Sequence, residues 1–250
     1  KEQFELGLFE NPYVDPNRAA YVVGNPSFQR KADLAQRKSI VLLQNKMTLP
    51  LAQPKEQDTL RIFTMGMNTA MFKEGAWSNY KVTSGDYNKT KGETLPAITE
   101  ETDFAIIRIQ VTTDGGSDRR FGGASPDELN FLSFSEMAKS NSWKISPSLD
   151  DIQTIMKTVG PDKTILSIDF RQPYVLDEAS GVRNAAGILA TFGVSDAAVM
   201  DIIMGKFNPT GKLPFALAKT SSAIVKQDPD APGYPEEDTL FPFGFGLTYK

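Results

Sequence analysis

Between Val111 and Glu128 the chain reads VTTDGGSDRRFGGASPDE, a glycine-rich run carrying Asp114, Asp118, Asp127 and Glu128 together with the adjacent Arg119 and Arg120. Carboxyl groups set among backbone-permissive glycines can be brought close to another molecule and can give or take a proton there, and guanidinium groups add fixed forks of donors. Glu128 is the first candidate for such a proton transfer because its side chain reaches farthest, with Asp114 and Asp118 after it. The same residues also suit solvated loop charges, the acids paired with Arg119 and Arg120.

The absences narrow the chemistry. The 250-residue chain has no His and no Cys, so within it there is no Ser-His-Asp triad, no Cys-His pair and no imidazole or thiolate metal site; no cofactor is expected. Proton chemistry is left to carboxylate, Tyr and Lys, a set that suits glycoside hydrolysis, which runs on two carboxylates. A net charge of −4 gives no electrostatic footprint for nucleic acid or an anionic membrane. No apolar run approaches the ~20 residues needed to span a bilayer. Hydrophobic residues at 40% and charged residues at 23% fit a soluble domain with a substantial core. The opening KEQFELGLFE has no signal peptide and reads as cut from something longer. Asn88-Lys-Thr90 is a glycosylation sequon only in a eukaryotic secretory context.

The loop needs elements to hold it. The spacing and composition predict strands at Ser39–Leu43, Leu60–Thr64, Lys81–Thr83, Phe104–Ile109, Thr164–Ile168 and around Ile188–Phe192, with helices from Asn25-Pro26, over Asp151–Val159 and from Ser195 to Phe207. Apolar strands without polar alternation, separated by helices or long crossovers, argue an α/β fold: a three-layer α/β/α sandwich on a mainly parallel sheet of about five or six strands. Residues 1–24 read as an arm without a core of its own. Ser221–Asp238, with Pro229, Pro232 and Pro235, reads as an irregular C-terminal strap. In an open parallel sheet ligands sit beyond the C-terminal strand ends, which selects the loops after Ile109, Ile168 and Phe192. Gly205–Lys212 imitates a phosphate loop, but it has five residues between glycines where four are needed, Leu213 in the Ser/Thr position, and a helix before it instead of after. It is rejected as a nucleotide site.

Three separated blocks carry a resemblance. Ser195–Phe215 with the tail LFPFGFGLTY (Leu240–Tyr249), LGLFENPYVDP (Leu6–Pro16) and AQRKSIVLLQN (Ala35–Asn45) resemble, in order, parts of glycoside hydrolase family 3, the β-glucosidase group. The resemblance implies a flavodoxin-like C-terminal domain over residues 25–250, with 1–24 as the linker from an N-terminal (β/α)8 barrel. It further implies a retaining β-glycosidase acting on terminal non-reducing β-D-glycosyl residues, the barrel supplying the nucleophilic Asp. In many members the acid/base is a Glu just before a Gly-Asp-Arg-like run. Asp118-Arg119-Arg120 is similar to that run, but Asp114 stands where a Glu is expected, so Glu128, Asp114 and Asp118 all remain candidates. Arg119, Arg120 and Phe121 become candidates for substrate contact. Phe121, Phe131, Phe134 and Trp143 suit either a stacking wall for a sugar or core anchors, and Arg171 and Tyr174 suit packing or contact with substrate or barrel. The implied partners are the barrel and a β-linked oligosaccharide or glycoside, and the family leaves room for a homodimer and a periplasmic or secreted location. The alternatives are a non-catalytic carbohydrate-binding or structural domain, or part of a β-xylosidase or β-N-acetylglucosaminidase.

Overall fold

The computed structural model describes residues 1–73, 77–113, 133–140, 143–228 and 230–249. They divide into two compact units, Lys1–Gln36 and Arg37–Lys250. The first contains the short helices Glu2–Glu5 and Pro16–Val22 and most of the helix Pro26–Ser39, none of which buries a residue. Asp15 caps the second of these by accepting from Asn17 N–H at 2.9 Å, and Asn25 accepts from Ser27 N–H at 2.9 Å at the start of the third. Phe4, Phe9, Tyr13 and Tyr21 are exposed.

The second unit is built on a seven-stranded sheet. Its strands are β1 Val41–Asn45, β2 Leu60–Met65, β3 Tyr80–Ser84, β4 Phe104–Thr113, β5 Trp143–Ser146, β6 Thr164–Asp169 and β7 Gly187–Thr191. The order is β1-β7-β6-β4-β2-β3, with β5 on β4. β3, β2, β4, β6 and β7 run parallel, while β1 and β5 are antiparallel to β7 and β4. β6 and β7 are almost wholly buried, as expected of apolar strands covered on both faces. Ile107, Ile109, Leu166 and Ile168 face one core with Ile152 and Ile155 of the helix Leu149–Val159. Ile106, Ile165 and Leu189 face the other with Val199, Ile202 and Ile203 of the helix Asp196–Ile203. Each such fully buried side chain contributes on the order of 2 kcal/mol.

The helix Leu149–Val159 begins two residues before the Asp151 of the sequence reading, at a cap the sequence reading did not name, Ser148, which accepts from Asp151 N–H at 3.3 Å. The second helix starts at the expected cap, Ser195, which accepts from Ala198 N–H at 3.3 Å. The second helix ends at Ile203 instead of Phe207. The chain turns there through Gly205 in the left-handed region (φ 70°), and Leu51 N–H takes the Ile203 carbonyl at 2.9 Å. The strap is more regular than its prolines suggest. Thr220 caps a helix over Ser221–Lys226, and β8 Leu217–Ala218 pairs with β9 Thr239–Phe241. The tail is tied down by Leu247 N–H to Leu42 O at 2.9 Å and by the Tyr249 hydroxyl to Ile202 O at 2.7 Å. Among the described residues no helix is long and apolar enough to cross a membrane.

Candidate active site

The parallel strands follow the order β3-β2-β4-β6-β7, so the direction of winding reverses between β2 and β4. A crevice outside the C-terminal strand ends is expected at that reversal. β4 overshoots both neighbours: its last partner on β2 faces Ile107 and its last on β6 faces Ile109, yet it continues through Gln110–Thr113 as a two-stranded ribbon with β5.

Contacts between loops fix this edge. Gly66, directly after β2, has φ 77°, and a Cβ on it would meet the Arg108 carbonyl oxygen at 2.3 Å. Only glycine lets β2 turn away so close to β4. Its N–H donates to Asp86 Oδ1 at 2.7 Å, binding the turn after β2 to the turn after β3. Arg108, buried within β4, donates to the Asp196 carboxylate and to the Val194 carbonyl. Asp196 also accepts from Asn68 N–H at 2.9 Å. The loops after β2 and β7 are thereby pinned to one guanidinium on the strand between them. At the end of β6, Asp169 accepts from Gly193 N–H at 2.8 Å and from Thr191 Oγ1 at 3.2 Å.

On the other face, Tyr87, Lys89 and Ser148 converge on Asp151. The Tyr87 hydroxyl lies 3.0 Å from both carboxylate oxygens, Ser148 Oγ 2.5 Å and Lys89 Nζ 3.1 Å from Oδ2. Burial acts to raise the Asp151 pKa, but the hydrogen bonds from Ser148, Lys89 and Tyr87 and the Lys89 charge outweigh it and hold the carboxyl below its ordinary value. The bond with Tyr87, with those to Asp151, raises the Lys89 pKa. The pair therefore stays ionised across the neutral range.

Asp114, Asp118, Arg119, Arg120, Phe121 and Glu128 lie outside the described residues, as does Phe131; their flanks are Thr113, at the end of the β4–β5 ribbon, and Ser133. Phe134 and Trp143 take the core alternative: they are 0% and 6% exposed and pack edge-on against Tyr174, with ring centroids 6.3 and 6.5 Å away. Tyr174 is itself buried, and that burial pushes its hydroxyl up to about 12. Arg171 is exposed. Sequence reasoning passed over Arg108, Asp169 and the Tyr87–Lys89–Asp151 set. Arg108 did leave a signal, as the lone charge in the apolar run FAIIRI. Among the described residues no group of three or more acidic side chains is placed to hold a metal ion.

The sequence model described as Glycosyl hydrolase family 3 C-terminal domain matches residues 40–249. Beta-glucosidase C of Emericella nidulans is 33% identical over 254 residues, taking in 100% of this chain and 35% of that protein. The periplasmic beta-glucosidase/beta-xylosidase of Dickeya chrysanthemi is 30% identical over 249 residues, 100% of this chain and 33% of that one. Among solved structures, a β-glucosidase from Listeria innocua in complex with isofagomine shares the fold with a TM-score of 0.61 at 17% identity, over 99% of this chain and 38% of that one. A β-glucosidase from Erythrobacter marinus does so with a TM-score of 0.66 at 16% identity, over 98% and 38%. The chain thus spans about a third of the length of the relatives it matches.

Proposed function

This chain belongs to glycosyl hydrolase family 3, whose C-terminal domain it contains, and we propose that it completes the active site of a retaining β-glycosidase of the β-glucosidase type. The observation that carries this reading is the overshoot of β4 at the winding reversal, because the chain continues from it directly into the carboxylate-bearing run Asp114–Glu128. In the proposed whole enzyme a (β/α)8 barrel, in the part of the protein beyond this chain, supplies the nucleophilic Asp, and residues 1–24 link the barrel to the domain from residue 25. A carboxyl from this chain protonates the glycosidic oxygen as the bond to the anomeric carbon breaks. The same group, now a carboxylate, then takes a proton from the water that hydrolyses the glycosyl-enzyme. Glu128 is placed first in this role, then Asp114 and Asp118. Contact with the barrel raises the pKa of the acid by desolvation. Arg119, Arg120 and Phe121 contact substrate.

The substrate is a terminal non-reducing β-D-glucosyl residue. A β-xylosyl residue is the second reading, supported by the name of the Dickeya relative. The test is Glu128→Gln and Asp114→Asn in the protein joined to its barrel, assayed on aryl glycosides with poor and activated leaving groups. The true acid variant loses about 10²–10⁴-fold on the poor one and far less on the activated one. Equal, small losses for both variants leave Asp118 as the one candidate acid of this chain, and the same result in Asp118→Asn transfers the acid to the barrel and leaves this chain a structural partner.

A further inference from the structure

A cleft of about 640 Å³ lies beside the β8–β9 pair, walled by the rings of Pro173, Pro214, Pro232 and Pro242 and those of Phe215 and Phe243. Phe215 packs against Phe170 and Phe192, with ring centroids 6.2 and 6.1 Å away, and these two directly follow β6 and β7. One wall is thereby fixed to the C-terminal strand ends, while Phe243 is 75% exposed. Such a volume suits a small molecule. Among the described residues no charged side chain lines the cleft, so the complementary ligand is neutral. Free polar atoms are few. Thr239 Oγ1 is taken by the Tyr234 and Pro235 carbonyls, at 3.0 and 2.8 Å. Gln227 Nε2 donates to the Ala231 and Gly233 carbonyls, at 2.9 and 2.7 Å, which leaves Oε1 as the free end of the amide. The Tyr234 hydroxyl has no hydrogen bond among the described residues, and burial raises its pKa, so it stays a donor. Flat apolar rings with one acceptor and one hydroxyl do not suit a sugar, several of whose hydroxyls would be buried there without partners. They suit a flat ring that carries one or two hydroxyls.

We propose that this cleft binds a neutral phenol, its ring packed against the proline and phenylalanine faces, its phenolic proton given to Gln227 Oε1 and an oxygen accepting from the Tyr234 hydroxyl. The inference goes beyond the hydrolytic reading and does not depend on it, since it concerns binding by this chain alone. On the hydrolytic reading a phenol is what an aryl β-glycoside releases, and the cleft would then retain the freed aglycone.

Ligand-observed NMR titration of the 250-residue chain tests it, with tyrosol as the neutral phenol, its phenolic methyl ether, and D-glucose. Tyrosol is expected to bind about fivefold more tightly than the ether, which has no phenolic proton to give, since one neutral hydrogen bond is worth about that factor. Glucose should bind more weakly than either. Tyr234→Phe should weaken tyrosol about fivefold without moving the thermal midpoint, because the hydroxyl it removes has no partner among the described residues. Phe243→Ala should weaken tyrosol and the ether together. Equal binding of tyrosol and the ether, or a tyrosol affinity unchanged in either variant, overturns the proposal. Glucose binding as tightly as tyrosol overturns it in favour of a sugar site. No saturable binding of tyrosol overturns it in favour of a seat for another protein segment.

Discussion

Arg108 and Asp196 lie 88 positions apart in sequence and form an ion pair at the C-terminal edge of the sheet, with side chains only 8% and 18% exposed. Removing one partner of such a pair strands the other charge away from water, at about 3–5 kcal/mol. Asp196→Ala is therefore expected to lose about 3 kcal/mol in urea denaturation. Asp196→Asn should lose less, because its amide oxygen can still accept from one of the two donors that the carboxylate oxygens receive separately, the Asn68 N–H or the guanidinium. A loss below ~1 kcal/mol in the alanine variant would mean that Arg108 finds water or another acceptor when Asp196 is gone.

Two glycines with nearly the same φ separate backbone strain from lack of space. Gly66 (φ 77°) has the Arg108 carbonyl in the way of a Cβ, whereas Gly92 (φ 76°) has nothing within 4 Å. Gly92→Ala should cost about 1 kcal/mol, the left-handed penalty alone. Gly66→Ala should cost clearly more, since a backbone carbonyl in a central strand cannot move aside. Equal midpoint shifts for the two in thermal unfolding would refute this account of the turn after β2.

Stability should fall at both ends of the pH scale for identifiable reasons. The Asp151 carboxyl is held below its ordinary 3.8, so its contribution is complete above that value and is lost as pH falls through the lower folded one. Asp151→Asn should be less stable than the parent at neutral pH, and the gap should close in acid. Tyr174 has the opposite sign: raised to about 12 by burial, it contributes fully below pH 10 and loses that contribution as pH climbs towards 12. Thermal midpoints of Tyr174→Phe across the alkaline range should decline less steeply than those of the parent.

The Tyr249 hydroxyl donates to Ile202 O at 2.7 Å. That carbonyl also accepts from Gly205 N–H at 2.9 Å, so Tyr249→Phe leaves it with a partner and should cost only about 1 kcal/mol. Tyr13→Phe, at an 85% exposed position, is the control and should leave the midpoint where it was. A Tyr249→Phe loss of ~3 kcal/mol would show that the tail does more than its one side-chain bond accounts for.

The parts of the fold legible in the sequence were those whose burial is written locally. Ile188–Ala190 is apolar throughout, and Thr164–Ile168 is apolar but for Thr164 and Ser167, because helices cover both faces, and Ser195 announces the helix that follows. β5 was not legible, since WKIS is four residues of simple alternation. The antiparallel direction of β1 depends on a distant partner and leaves no mark in SIVLL. The candidate acids could be named from residue type alone. The contacts at the sheet edge could not, because Arg108, Asp169 and Lys89 find their partners only after remote loops are brought together. A charge within an apolar strand, as at Arg108, is the one local hint of such a contact.

β1 pairs Val41 with Ala190 on one side, and on its other side Leu42 meets Leu247. Both partners are made long after β1 itself. In a chain that folds as it is synthesised, β2, β3, β4 and β6 can assemble first, while β1 waits for β7 and then for the final residues to cover its outer edge. The tail is thus an edge guard. Shortening it before Leu247 would leave the rim of β1 open to strand addition from another chain, and the first sign would be aggregation during expression, with little change in the core of any protein that did fold.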